Sequence, residues 1–316
     1  MTSQQKDLVR TLFSQEAARW TDWAYDPDES FDVYPTGKAR LAIIRKELAR
    51  MKPGRALRLI DAGCGSGDIS LALEGDGHEV YGLDFAPNMI DICRQRFAQT
   101  YSDRGKADER FRVADVEDFT LPGRFDGGFA VGLLEYLERD QPFLAAMGKH
   151  MAPGGLLMVE CRNRLFNAVS GNRFTVGEAD AGELQGLTVE LADVARFSPR
   201  PESDIPALMA EASARMASTQ PFAADATQPS DPGIQFPSGV TRRMFTPAEM
   251  ERIAAEAGFS LRHVIYYHLH ILPTRFEKPF PRYYNALSMA AQPLGETPAG
   301  AYLGTCFLSV LEKLPD

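Results

Sequence analysis

Cysteine is scarce in this chain of 316 residues: there are four, Cys64, Cys93, Cys161 and Cys306, with no C-x-x-C pair among them. Such spacing offers neither a disulfide framework nor a zinc site, so no metal and a reducing, cytoplasmic setting are expected. Long apolar runs are missing as well. None approaches the length of a membrane helix, so no membrane span is expected. The opening MTSQQKDLVRTLF lacks a basic start followed by an apolar stretch, and no signal peptide is expected. Positive charge is in deficit, with a net charge of −9. That disfavours nucleic acid or an anionic membrane as a partner. His268 and His270 alternate on one strand, but no third ligand has matching spacing, so polar lining is expected there rather than a metal site. There are no internal repeats.

What is present is a hydrophobic fraction of 44% in a chain long enough to bury a sizeable core. Residues 3 to 50 read as helix-rich. They contain the aromatic stretch WTDWAYDPDESFDVYP, with Trp20, Trp23, Tyr25, Phe31 and Tyr34, which suggests a cover or a set of pins against the core. From Leu57 onward strands alternate with helices: LRLIDAG, EVYGLD, FRVAD, FDGGFAVG and LLMVEC, each bounded by glycine, proline or a helical stripe. This rhythm predicts a mainly parallel sheet covered on both faces. Between about Arg162 and Phe245 the rhythm breaks. Prolines crowd this stretch and only IPALMAEASARMAS reads as helix, so an irregular inserted cap with a mobile portion is expected. At Thr246 the sequence TPAE forms a capping box before a helix. Two more strands close the chain, FSLRHVIYYHLHIL and AYLGTCFLSVLEKL, around a short helix at PRYYNALSMAAQ. With no good crossover helix between them, they suggest an antiparallel edge.

The stretch LIDAGCGSGD carries the chemistry. Its glycines stand at 63, 65 and 67, directly after a strand. A dinucleotide fingerprint needs its third small residue at 68, where this chain has Asp68. A carboxylate in the first turn of the helix would repel a pyrophosphate, and Asp61 adds to the repulsion. The turn suits a ligand with positive charge and donor groups but no phosphate. S-adenosylmethionine (SAM) has an ammonium, a sulfonium, a ribose diol and an adenine. Asp84, at the end of the second strand, can accept both ribose hydroxyls. Asp115 and Val116 end the third strand, where a carboxylate could meet the adenine amino group.

In these residues, and in VYGLDFAPNMI, FRVADVEDF, FDGGFAVGLLEYL and MAPGGLLMVE, the chain resembles the class I, Rossmann-like SAM-dependent methyltransferases over roughly residues 55 to 162. The resemblance implies an α/β, doubly wound, mainly parallel seven-stranded sheet with an antiparallel C-terminal strand. It implies a helical lid over 1–50, a SAM-binding core over 51–162, a partly mobile substrate cap over 163–245 and the rest of the core sheet over 246–316. Gly63, Cys64, Gly65 and Gly67 would approach the methionine part of SAM, with Asp61 near its amino group. Asp84 would hold the ribose, Phe85 and Met89 would flank the adenine, and Asp115 and Val116 would read its edge. Gly132 and Leu133 would floor the site near the sulfonium.

One departure matters. Many small-molecule members carry a histidine after the fourth strand; here GLLEYLERD offers Glu135 and Tyr136, so no general base comes with the motif. The remaining candidates for contact with the reacting groups are Tyr34 in the cover, Tyr136 beside the floor, and Arg162 and Arg173 past the fifth strand. The arginines suit a carboxylate or phosphate, but they could equally pair with the acidic stretch GEADAGE. The expected activity is methyl transfer to an oxygen or nitrogen of a small molecule. Two alternatives stay open: attack on the aminocarboxypropyl carbon with release of methylthioadenosine, and SAM binding without turnover.

Overall fold

The structure, a computed structural model, describes residues 4–17, 31–51, 54–218 and 237–315. Trp20, Trp23 and Tyr25 of the aromatic stretch lie outside the described residues, as do Pro221, Pro229 and Pro232 of the insertion.

Seven strands form one sheet in the order β3-β2-β1-β4-β5-β7-β6. The strands are β1 (Arg58–Ala62), β2 (Glu79–Asp84), β3 (Phe111–Val113), β4 (Phe125–Ala130), β5 (Met151–Arg162), β6 (Phe259–Leu269) and β7 (Gly304–Lys313). β1 to β5 pair in parallel, and β7 runs antiparallel to both β5 and β6. The last two strands form the antiparallel edge pair that the sequence suggests, and the C-terminal β7 is the antiparallel strand; β7 lies one place in and β6 is the edge strand. β7 thereby satisfies the ladders of both neighbours, and a single antiparallel strand leaves β6 aligned with the parallel core.

Side chains alternate across β1, and the two layers follow from that alternation. Ile60 joins Leu83, Phe125, Phe143 and Met147 in one core. Leu59 joins Val80, Phe129 and the helical residues Ile43, Ile44 and Leu48 in the other. Helices α1 (Gln4–Gln15), α2 (Thr36–Met51), α3 (Asp68–Gly75), α4 (Pro87–Thr100) and α5 (Asp140–His150) serve this half of the sheet.

The described part of the insertion holds more helix than its prolines suggest. It contains α6 (Arg173–Asp180), α7 (Leu184–Ala192) and α8 (Ile205–Ser218). Leu187, Leu191, Phe197 and Leu208 are buried in the same core as the sheet. Two of the described prolines mark helix starts: Pro201 precedes the short 3-10 turn at 202–204, and Pro206 is the second residue of α8, where its missing N–H costs nothing. Beyond the insertion lies α9 (Pro247–Glu256), opened by the expected capping box. The Thr246 hydroxyl accepts from the Glu249 N–H at 3.2 Å, and the Glu249 carboxylate accepts from the Thr246 N–H at 2.8 Å. Between β6 and β7 runs α10 (Pro281–Ala290). Among the described residues no helix is long and apolar enough to cross a membrane.

Candidate functional site

The carboxyl ends of β1, β2 and β4 open onto one cavity. Its lining includes Asp61, Gly63, Cys64, Gly65, Asp84, Phe85, Met89, Asp115, Val116, Gly132 and Leu133, which lie on four separate segments of the chain. Gly67 does not line it but shapes it. At φ 84° it starts α3, and a Cβ there would stand 2.4 Å from the Cys93 sulfur. Both the left-handed backbone and the contact with α4 therefore demand glycine.

Asp84 holds the glycine turn from below. One carboxylate oxygen accepts from the Gly65 N–H at 3.0 Å and the other from the Ala86 N–H at 2.8 Å. Asp61 accepts from the Ser70 hydroxyl at 2.6 Å through Oδ2, while its Oδ1 is sealed from solvent and has no hydrogen-bond partner. Burial raises the Asp61 carboxyl to about 7, with help from the neighbouring charges of Asp84 and Asp68. Burial likewise raises Asp84 to about 6. Among the described residues no cationic side chain pairs with either one. Asp68 differs: Arg96 meets its carboxylate at 2.7 Å and the Ser66 hydroxyl donates to it at 2.5 Å. The electrostatic case against a phosphate therefore rests on Asp61 and Asp84 more than on Asp68.

A pH dependence follows. Carboxyls whose folded pKa is raised favour folding while protonated, and that advantage is lost as pH climbs through about 6 to 7. A cationic ligand at Asp61 needs the ionised form. Its affinity should therefore rise with pH across this window, and binding at about pH 6 should release a proton. Calorimetric titration with SAM in buffers of different ionisation enthalpy reads this directly; heats independent of buffer would remove Asp61 from the ligand's charge.

The rest of the wall comes from elements whose role the glycine motifs did not signal. Lys6, Val9 and Phe13 of α1 and Arg40 of α2 line the cavity. Lys6 forms ion pairs with Asp115 and Glu117. Tyr136 also lines the cavity, edge-on to Phe13 with ring centroids 5.5 Å apart. Burial raises its phenol above the ordinary range, which keeps it protonated.

The other three candidates stand apart from this lining. Tyr34 stacks on His268 at 4.1 Å, accepts from the His268 N–H and donates to Gln292, so its ring and hydroxyl are committed to β6 and its flank. Arg173 opens α6, with its guanidinium over the Phe174 ring. Arg162, the last residue of β5, has one guanidinium nitrogen 3.8 Å from Glu135, while its Nε is sealed and unpartnered. Its neighbour Arg164 is the arginine that pairs with the acidic stretch, through Glu178 and Glu183.

A buried bracket supports the floor. Glu160 of β5 accepts from the Gly132 N–H at 2.6 Å, from Arg40 at 2.6 Å and from the Tyr267 hydroxyl. These four groups join β4, β5, β6 and α2. Of these only Gly132 was legible in the sequence; Arg40, Glu160 and Tyr267 were missed because no spacing relates positions 40, 160 and 267 to it. The only signal was an acid and a tyrosine at inward-facing positions of otherwise apolar strands.

Comparison with known proteins fits this geometry. Residues 59–155 match a family described as a methyltransferase domain. The ubiquinone biosynthesis O-methyltransferase of Azorhizobium caulinodans is 28% identical over 167 residues, which cover 49% of this chain and 64% of that protein. The protein of the same name from a Caulobacter species is 30% identical over 175 residues, covering 52% and 65%. The chain thus spans less than two thirds of the length of these curated relatives. Among solved structures, magnesium protoporphyrin IX methyltransferase from Synechocystis, with S-adenosylhomocysteine bound, aligns with a TM-score of 0.54 at 13% identity over 98% of this chain and 99% of that one. The 1,6-didemethyltoxoflavin-N1-methyltransferase of Burkholderia thailandensis aligns with a TM-score of 0.51 at 15% identity, over 100% and 92%. At those identities the likeness shows the fold.

Proposed function

Because residues 59–155 belong to the methyltransferase-domain family, we propose that this chain is a SAM-dependent methyltransferase that acts on an oxygen or nitrogen of a small molecule. The observation that carries the reading is the sealed, unpartnered Oδ1 of Asp61 at the head of a glycine turn. A buried carboxylate oxygen without a partner costs free energy unless a donor arrives. The ammonium of SAM is such a donor, and no phosphate could take its place.

When bound, SAM supplies a methyl group already activated on a sulfonium. The chain's own residues bind and orient. The turn of Gly63, Cys64, Gly65 and Gly67 admits the methionine part close to the backbone, and Asp61 receives its ammonium. Asp84 keeps lone pairs for the ribose hydroxyls while it braces the turn. Phe85 and Met89 flank the adenine, and Asp115 and Val116 face its edge. Gly132 and Leu133 set the floor, and Phe13 and Tyr136 exclude water above it. Helix α1 is then part of a lid, residues 51–162 the cofactor core, residues 163–245 the acceptor cap, and 246–316 the remainder of the sheet. An in-line displacement asks mainly for such positioning and desolvation. Both sequence relatives are named as O-methyltransferases, which favours an oxygen acceptor.

Mass spectrometry of the purified chain with SAM, alone and with a small-metabolite extract, tests the reading. S-adenosylhomocysteine accumulating only with extract, beside a metabolite heavier by one methylene, is the expected result. Methylthioadenosine would instead mean attack on the aminocarboxypropyl carbon. SAM bound but unconsumed across extracts would reduce the chain to a binding protein.

A further inference from the structure

Past the methyl-transfer cavity, at the carboxyl ends of β5 and β6, four rings stand in a column. Tyr34, His268, His270 and Phe166 follow one another with centroids 4.1, 4.7 and 5.2 Å apart and interplanar angles of 13°, 32° and 31°. The two imidazole faces are thereby committed to stacking, and their edges are what remains. The Nε2 atoms of both histidines are sealed from solvent and have no hydrogen-bond partner, and so is the Nε of Arg162. His268 also holds a left-handed backbone, φ 53°, which breaks the regular strand at this point. Three orphaned polar atoms in one buried neighbourhood ask for an occupant.

The tautomer of His270 follows from its partners. The Tyr284 hydroxyl has one proton and donates it to the Leu272 carbonyl at 3.0 Å. Towards Nδ1 of His270 it can then only accept, so Nδ1 carries the proton and Nε2 presents a lone pair. Burial lowers His270 to about 4, and burial together with His270 and Arg162 lowers His268 to about 3. Both rings are neutral at physiological pH. The Nε–H of Arg162 is a donor.

We propose that His270 Nε2, with His268 Nε2 and the Nε–H of Arg162, forms a recognition subsite for the far end of the acceptor, a planar fragment that pairs an O–H or N–H donor with an oxygen acceptor. The donor meets His270 and the oxygen meets Arg162. This deepens the methyl-transfer reading and rests on it for the identity of the occupant. Two contacts lead from the cavity wall towards the subsite. Arg162 approaches Glu135, next to the cavity residue Tyr136. Arg40, itself a lining residue, donates to the hydroxyl of Tyr267, next to His268. The strand order places β6 three strands from β4. That is roughly 14 Å between strand axes. So large a span makes His270 a residue that recognises the acceptor, not the base at the reacting atom.

Phenol serves as the probe because it holds donor and acceptor in one hydroxyl; toluene has its shape without either. The chain has five histidines, so imidazole nitrogen resonances of the full chain labelled with 15N-histidine can be resolved. Phenol at millimolar concentration, the range open to so small a fragment, is expected to shift the His268 and His270 resonances. His78, His150 and His263 should not move. The Nε2 of His270 should resonate as an unprotonated nitrogen before phenol is added. Toluene should leave all five unchanged, and Arg162→Ala should weaken phenol roughly tenfold or more with SAM affinity retained. No shift on phenol, an equal shift on toluene, or a protonated Nε2 in the wild-type chain would each overturn the subsite. None of these readings needs turnover. Phenol binding without S-adenosylhomocysteine production would sink methyl transfer and keep the subsite, and the reverse pattern would do the opposite.

Discussion

Replacing Asp84 by alanine is expected to remove SAM binding while leaving the fold in place. The carboxylate has two tasks. It accepts the Gly65 and Ala86 amides, and its remaining lone pairs face the cavity where the ribose diol would lie. A hydrogen bond to a charged group is worth about 1.5–3 kcal/mol. Losing two to the ribose therefore weakens SAM by roughly two to four orders of magnitude. Stability moves much less, because two effects oppose. The variant orphans two backbone amides, each at about 1–3 kcal/mol. It also deletes a buried carboxylate whose charge the ligand-free fold disfavours, as its pKa of about 6 shows. Asp84→Asn keeps one acceptor and should fall between wild type and alanine. Titration calorimetry beside thermal melting separates the two quantities. Unchanged affinity in Asp84→Ala would withdraw the ribose assignment, and with it the orientation of the whole cofactor.

That argument could be started from the sequence because its parts are local. A glycine turn, an acid two residues before it and another acid at the end of the next strand are short-range features of β–turn–α units. Parallel pairing puts their strand ends side by side, as the registers Asp61↔Gly82 and Asp84↔Val113 do. The capping box at Thr246 was legible for the same reason: all of its hydrogen bonds lie within four residues. What the sequence concealed is long-range. Helix α1 reaches the cavity through Lys6, Val9 and Phe13, yet its amphipathic stripe says only that one face is buried, not against what. The position of β7 between β5 and β6 is a choice of pairing between strands of equal apolar character, which periodicity cannot decide. Tyr34 was named for its place in an aromatic cover, but its role is set by a histidine more than two hundred residues later. The prolines of the insertion read as breakers of structure, whereas Pro201 and Pro206 only mark where helices begin.

Glu160→Ala should produce the largest loss of stability of any single change near the site. The residue is 6% exposed, and its carboxylate binds Arg40, the Tyr267 hydroxyl and the Gly132 amide at once. Removing it takes the carboxylate from a guanidinium whose side chain is 13% exposed, and takes their common acceptor from a buried phenol and a buried amide. Breaking a buried ion pair from one side costs about 3–5 kcal/mol. For a fold of ordinary stability that is a third or more of the total. Glu160→Gln retains an acceptor and the volume but offers its amide hydrogens to a cation, so it should recover only part of the loss. The functional effect should outlast the thermodynamic one. Gly132 sits at φ 67° with its N–H drawn to this carboxylate, so the cavity wall that we propose as the floor under the sulfonium owes its shape to the bracket. In the glutamine variant, assayed well below its melting temperature, turnover should therefore fall more than SAM affinity does, because the Asp61 and Asp84 contacts stay intact. Equal losses in the two would mean that the bracket supports the fold alone and does not hold the acceptor and the methyl group in line.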